Sequence, residues 1–187
     1  MIFVFCLLPF ILLVKAAIGD ELGTNPVETL THETGLWALR LLLLTLAITP
    51  LRQLTKFHWL LRLRRMLGLF TFFYALLHVT TYVWFDQYFD WFEILQDIPK
   101  RPFITIGFLS FILLLPLAIT STKAMQRRLK KRWQTLHRLV YLVPVLVILH
   151  FTWSLKADYS EPVFYACIFI VLMSFRLLYA RKKAPQY

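Results

Sequence analysis

Apolar residues in this chain gather into six blocks, about 2–18, 35–51, 66–84, 102–120, 133–153 and 160–180, separated by short polar links. Each block is long enough to cross a bilayer as an α-helix, which takes roughly 17–25 mostly apolar residues. None of the links could fold independently. The pattern therefore predicts an all-α membrane protein, a six-transmembrane helix bundle forming a single integral domain over residues 1–187. Pro9, Pro116 and Pro144 fall inside blocks, where membrane helices tolerate proline better than soluble ones do. The first block has no basic stretch before it and continues through Lys15 to a Gly-Asp turn. A cleaved leader is one reading of it, but a spanning helix fits better with an even count of spans. The sequence shows no repeat, no heptad and no low-complexity segment.

The links predict orientation. Link 19–34 carries Asp20, Glu21, Glu28 and Glu33 with no Lys or Arg, whereas link 52–65 carries Arg52, Lys56, Arg62, Arg64 and Arg65. Link 85–101 is mostly acidic, link 121–132 holds six cations from Lys123 to Arg132, link 154–159 has only Lys156, and the tail ends in Arg181, Lys182 and Lys183. Because cytoplasmic links collect Lys and Arg, the alternation predicts both termini inside. Trp84, Trp91 and Trp153 then mark outer span ends, and Trp59 and Trp133 inner ones, as interfacial aromatic belts do.

Composition narrows the class. The chain is 59% hydrophobic with a mean hydropathy of +0.63, above the roughly 45–50% apolar content of globular proteins. That excludes a soluble fold. The net charge of +11 then reads as membrane topology, so no nucleic-acid partner is expected. Cys6 and Cys167 lie in apolar blocks and read as small core residues, not a disulfide or a metal pair.

The candidate chemistry lies in three histidines within the blocks. An intramembrane imidazole is costly and by default a functional hypothesis, and neutral imidazole is a standard axial ligand of haem iron. His78 sits near the outer end of the third span, His150 near the outer end of the fifth, and His137 near the inner end of the fifth. His137 and His150 are about 20 Å apart along a helix and roughly 140° apart around it, so they cannot share one haem, although a kink at Pro144 would reset the phase. His78 and His150, at matching depth on two helices, make the natural pair. Helix-to-helix hydrogen bonding is the structural alternative for each histidine. Zinc is disfavoured because no Cys or carboxylate lies at that depth to complete a tetrahedron. His32 and His58, in polar links, read as solvated.

Arginines add a second pattern. Arg64 and Arg65 stand on the third span where a ligand partner for His137 would be; guanidinium is a poor ligand but suits a haem propionate, a flavin phosphate or an anionic lipid head group. Positive-inside charge is the other reading. Arg40, inside the second span, either pairs with a propionate or snorkels to the head groups.

Long stretches, RRMLGLFTFFYALLHVTTY (64–82), DIPKRPFITIGF (97–108), LAITSTKAMQRRLKKRWQTLHRLVYL (117–142), VILHF (147–151) and NPVETLTHETGLWALRLLLLTLAITPLR (25–52), resemble the MsrQ family, also called YedZ. That family is a branch of the ferric-reductase-like transmembrane domain, and the resemblance covers nearly the whole chain. It implies a haem-binding subunit in the bacterial inner membrane, multi-pass, associated with haem b and FMN. Such a subunit draws electrons from the quinone pool or a cytosolic flavin reductase. It passes them to MsrP, a periplasmic molybdopterin reductase of oxidised methionines. By the same resemblance His78, His137 and His150 match haem-associated histidines, while Arg64 and Arg65 stand where the wider ferric-reductase pattern has a fourth histidine. The absence of GxGxxG and Walker loops, and the seven residues after the sixth block, predict no fused flavin or nicotinamide domain. No catalytic constellation for a final substrate is visible. A stand-alone ferric or quinone-linked reductase on the same scaffold, and a histidine-based proton-coupled transporter, are the rival readings.

Overall fold

The computed structural model describes residues 2–183, with side chains described as far as Tyr179. The described chain is helical from end to end. It comprises α1 (Ile2–Ile18), α2 (Pro26–Thr55), α3 (Leu60–Thr81), α4 (Trp91–Lys100), α5 (Pro102–Ile119), α6 (Lys123–Leu129), α7 (Lys131–His137), α8 (Val143–Ser154) and α9 (Ser160–Lys183). A π-helical turn, Tyr82–Asp86, continues α3, and a 3₁₀ turn, Arg138–Tyr141, separates α7 from α8.

Among the described residues, five stretches are long and apolar enough to cross a membrane: Pro26–Thr55, Leu60–Asp86, Pro102–Ile119, Lys131–Ser154 and Ser160–Tyr179. Helix α1 is also apolar, but at 17 residues it reaches only about 25 Å, short of a hydrocarbon core of about 30 Å.

Element boundaries depart from the apolar blocks where polar residues lie on helices. Helix α2 begins at Pro26 rather than 35, because the Asn25 side chain accepts from the Glu28 N–H and Pro26 occupies the first turn. Both are start signals. Glu28, His32 and Glu33 are therefore helical, which an apolar run cannot reveal. Helix α3 starts at Leu60, so Arg62, Arg64 and Arg65 stand on it instead of in a link. The fifth block breaks between α7 and α8. Pro144 has no N–H to offer the Val140 carbonyl, and the preceding turn tightens, with the Leu142 N–H donating to Leu139 O at 2.9 Å.

The link 85–101 contains α4, which opens on an Asp90 cap whose side chain accepts from the Phe92 and Glu93 N–H groups. It buries Ile94 and Asp97; the Asp97 carboxylate accepts from Tyr82 Oη at 3.2 Å and Arg101 Nε at 2.9 Å. Cys167 is exposed on α9 while Cys6 is buried, so only the second fits the expected core role. The terminal cations Arg181, Lys182 and Lys183 have side chains outside the described residues.

Helix α2 is the centre of the bundle. Leu36, Leu39, Leu41, Leu42, Leu43, Leu46 and Ile48 are all buried, and a helix apolar on every side is one surrounded by others. Its most extensive partner is α3, while α5 packs most extensively on α8. Residues such as Ile112, Phe164 and Val171 point outward and are exposed, as a lipid-facing surface would be.

Helix α1 joins through Tyr74. The Tyr74 hydroxyl donates to the Cys6 carbonyl at 2.8 Å and accepts from the Phe10 N–H at 3.0 Å. Those two backbone groups would otherwise bond to each other, so the fully buried hydroxyl is inserted into the ladder of α1 beside Pro9. Inserting a side chain in this way is one of the ordinary causes of a helix bend.

Candidate functional site

The structure brings His78 and His150 together. One side chain comes from the C-terminal third of α3 and the other from α8, with ring centroids 5.9 Å apart and ring planes at 81°. Each ring is fixed from behind in the same way. His78 Nδ1 lies 2.8 Å from the Thr31 carbonyl of α2, and His150 Nδ1 lies 2.7 Å from the Phe103 carbonyl of α5. A carbonyl only accepts, so both Nδ1 atoms carry the proton. In neutral imidazole this leaves Nε2 of each ring as an unprotonated lone pair.

That donor set fits haem iron. Two metal–nitrogen bonds of about 2 Å each, plus the half-width of each ring, put the centroids about 6 Å apart, close to the observed spacing. A histidine ligand whose second nitrogen is anchored to a backbone carbonyl is the usual supporting arrangement. Among the described residues, no three His, Cys, Asp or Glu side chains converge as a bare metal ion would require.

The backbone behind each ring is cut away by glycine. A Cβ on Gly35 would lie 2.9 Å from His78 Nδ1, and one on Gly107 would lie 2.8 Å from His150 Nδ1. Sequence reasoning noted these glycines only as unfit for a phosphate loop. It also expected no repeat, and the structure corrects this. Thr31 and Phe103, Gly35 and Gly107, and His78 and His150 are each 72 positions apart. Thr80 and Thr152, also 72 apart, each bond back one turn at 2.8 Å, to Leu76 O and Ile148 O. The available signals were the paired Leu-His-x-Thr strings at 77–80 and 149–152.

His137 is placed elsewhere. Its Nε2 lies 3.0 Å from Thr120 Oγ1, and its ring stacks on Trp133 at 4.0 Å. Thr120 directs its single hydroxyl proton to the Pro116 carbonyl at 2.5 Å, so His137 Nε2–H is the donor to Thr120. Trp133 Nε1 closes the same corner on Thr120 O at 2.9 Å. Arg64, half-buried, is near enough to act electrostatically on both His137 and Arg176, whereas Arg65 is exposed. His58 is exposed as expected, and His32 lies at the surface 3.7 Å from Glu161.

Arg40 sits near the middle of α2, because the helix starts earlier than the apolar block. It is five residues inward of Gly35, about 7.5 Å along the axis. Its Nε donates to Tyr165 Oη at 2.9 Å and its guanidinium lies 4.9 Å over the Trp37 ring. These contacts hold its guanidinium against Tyr165 of α9.

Sequence reasoning missed Arg176 altogether. Its Nη1 donates to Tyr141 Oη at 2.6 Å and its Nη2 to the Leu46 carbonyl at 2.7 Å. That carbonyl is available because the residue four positions on is Pro50, which has no N–H. An arginine in the sixth apolar block was the signal.

A polytopic helical bundle that brings two imidazoles from separate helices within 5.9 Å of each other defines the class, and the ferric reductase like transmembrane component family matches residues 34–148. The chain is 54% identical over 186 residues to the protein-methionine-sulfoxide reductase heme-binding subunit MsrQ of Herminiimonas arsenicoxydans, covering 98% of this chain and 85% of that protein. It is 55% identical over 159 residues to the subunit of the same name from Xanthomonas campestris pv. campestris strain B100, covering 85% and 73%. The Xanthomonas oryzae pv. oryzae strain MAFF 311018 subunit is 53% identical over 158 residues, covering 84% and 72%. No solved structure matches the chain. The chain belongs to the ferric-reductase-like membrane components and, within them, to the MsrQ family.

Proposed function

We propose that this chain is the haem-binding, electron-carrying membrane subunit of a protein-methionine-sulfoxide reductase system, with His78 and His150 as the two axial ligands of one haem b. The observation that carries the reading is the matched seating of the two rings, each with Nδ1 on a backbone carbonyl and the centroids 5.9 Å apart. When bound, haem would supply one-electron exchange at its iron. The protein's own part is to fix the tautomer of both imidazoles, to hold them at one depth on separate helices, and to surround them with apolar residues that exclude water.

In the full reading the chain lies in the bacterial inner membrane with six spans, α1 included, and both termini in the cytoplasm. Its electrons come from the quinone pool or a cytosolic flavin reductase and leave for the periplasmic molybdopterin partner MsrP. Those assignments and an FMN cofactor are what the family resemblance of the sequence implies, and the relatives' names carry the haem-binding part. His137 and the cations Arg64 and Arg65 mark the inner end where a donor-side group would bind, and Arg40 stands between the two ends. The Tyr74 clamp supports counting α1 as part of the bundle.

Two measurements test this. The dithionite-reduced, detergent-purified protein should show a b-type haem spectrum, and reduction of methionine sulfoxide in periplasmic proteins should depend on this chain. Lack of a haem band rejects the carrier reading; a haem band with no such dependence favours a stand-alone reductase. For orientation, reporters fused after residue 95 should be periplasmic and those after residue 127 cytoplasmic, since positive-inside charge dominates short links. The opposite pattern would reverse every depth assigned here.

A further inference from the structure

Both histidines are seated over a glycine, and the reason lies in helix geometry. The carbonyl of residue i in an α-helix points toward the turn that holds residue i+4. Side chains lean toward the helix N-terminus, so the side chain at i+4 covers that carbonyl from outside. With glycine at i+4 the carbonyl stays open to a donor from a neighbouring helix. Gly35 stands four residues after Thr31, and Gly107 four residues after Phe103, and those are the two carbonyls that receive the histidines.

The imidazoles fill the space a side chain would take. A Cβ at position 35 would meet Nδ1 at 2.9 Å and Cε1 at 3.0 Å of His78; at position 107 it would meet the same atoms of His150 at 2.8 and 2.9 Å. A methyl group at either position and the observed ring cannot coexist. The glycine backbone is packed in a helix, so the ring must yield. Gly68 of α3 provides the contrast, since a Cβ there meets nothing closer than Thr45 Cγ2 at 3.9 Å.

We infer that Gly35 and Gly107 are paired positioning residues. By keeping two helix carbonyls open they lock both imidazoles as Nδ1–H tautomers and aim both Nε2 lone pairs at one point between α3 and α8. This rests on the haem reading above and adds the residues that set the ligand geometry. The spacing from carbonyl to histidine is 47 residues in both halves, so the device occurs twice, once per helix pair, and each half presents one ligand. A ring pushed off its carbonyl loses the bond that raises its basicity. It then binds iron less tightly and favours the ferric state less.

The test uses the full-length protein with Gly35→Ala, Gly107→Ala and Gly68→Ala, alongside His78→Ala and His150→Ala. Transfer of haem to apomyoglobin should be about 10–100-fold faster in Gly35→Ala and in Gly107→Ala. The midpoint potential of the haem they retain should be higher than in the wild type, and Gly68→Ala should match the wild type in both readouts. Wild-type transfer and potential in Gly35→Ala and Gly107→Ala, while the histidine variants lose haem, would overturn the positioning role and leave the haem reading standing. Full haem retention by both histidine variants would overturn the haem reading, and the positioning role with it.

Where the alanine variants do not accumulate in the membrane, ¹⁵N-histidine NMR of the haem-free wild-type protein decides the matter, with the two signals assigned through the histidine variants. Nδ1–H tautomers at both positions support the role. An Nε2–H tautomer at either one overturns it.

Discussion

His78→Ala and His150→Ala, each alone, should eliminate the six-coordinate low-spin haem spectrum of the purified protein while leaving its amount in the membrane unchanged. Both halves of that expectation come from the geometry. In the proposed site each ring supplies one Nε2 to the iron, and the other ring, its centroid 5.9 Å away and its own Nδ1 tied to a carbonyl, cannot replace it. Insertion is spared because alanine partitions into the bilayer more easily than histidine. Added imidazole should restore part of the spectrum by entering the vacated space. His137→Ala should keep it, since His137 Nε2 is committed to Thr120 in another part of the bundle. A full low-spin spectrum in both His78→Ala and His150→Ala would show that the ligands lie elsewhere.

Much of this site was legible in the sequence because membranes make polar residues conspicuous. Against blocks of Leu, Ile and Phe, a histidine stands out, and rise per residue is enough to assign depth. His78 and His150 could be paired on that basis, and His137 separated from them. Three things were not legible, each for a physical reason. Glycine carries no side chain, so its value at 35 and 107 lies in what approaches it, which only the folded chain shows. The 72-residue correspondence rests on a few positions embedded in interchangeable apolar residues, too sparse to register as a repeat. The start at Pro26 is set by a cap and a proline, and the first turns of both α2 and α3 carry charged residues, which hydropathy alone reads as links. That last error placed Arg40 near an outer end when it lies at mid-helix.

Helices α2 and α9 are tied by a bond the sequence did not suggest, and it yields the second large effect. Pro50 deprives the Leu46 carbonyl of its ladder partner in the last third of α2, the most enclosed helix of the fold. An unpaired carbonyl in an apolar interior costs about 1–3 kcal/mol. Arg176 of α9 satisfies it at 2.7 Å and is itself held by Tyr141 at 2.6 Å and by the face of that ring at 5.1 Å. Its Nε stays buried without a partner, so the side chain is kept in place for what its two terminal nitrogens do.

Arg176→Met should therefore lower the stability of the detergent-solubilised protein by about 1–3 kcal/mol, because it orphans the carbonyl again. Pro50→Ala supplies the missing N–H from within α2. In that background Arg176→Met should cost much less, giving a coupling of about 0.5–3 kcal/mol between two residues more than a hundred positions apart in sequence. The measurement is a double-mutant cycle of SDS-induced unfolding in mixed micelles, followed by helical circular dichroism. Additive effects of the two substitutions would mean that Arg176 serves α9 by its charge or its packing alone, and that the proline-freed carbonyl is satisfied by some other group.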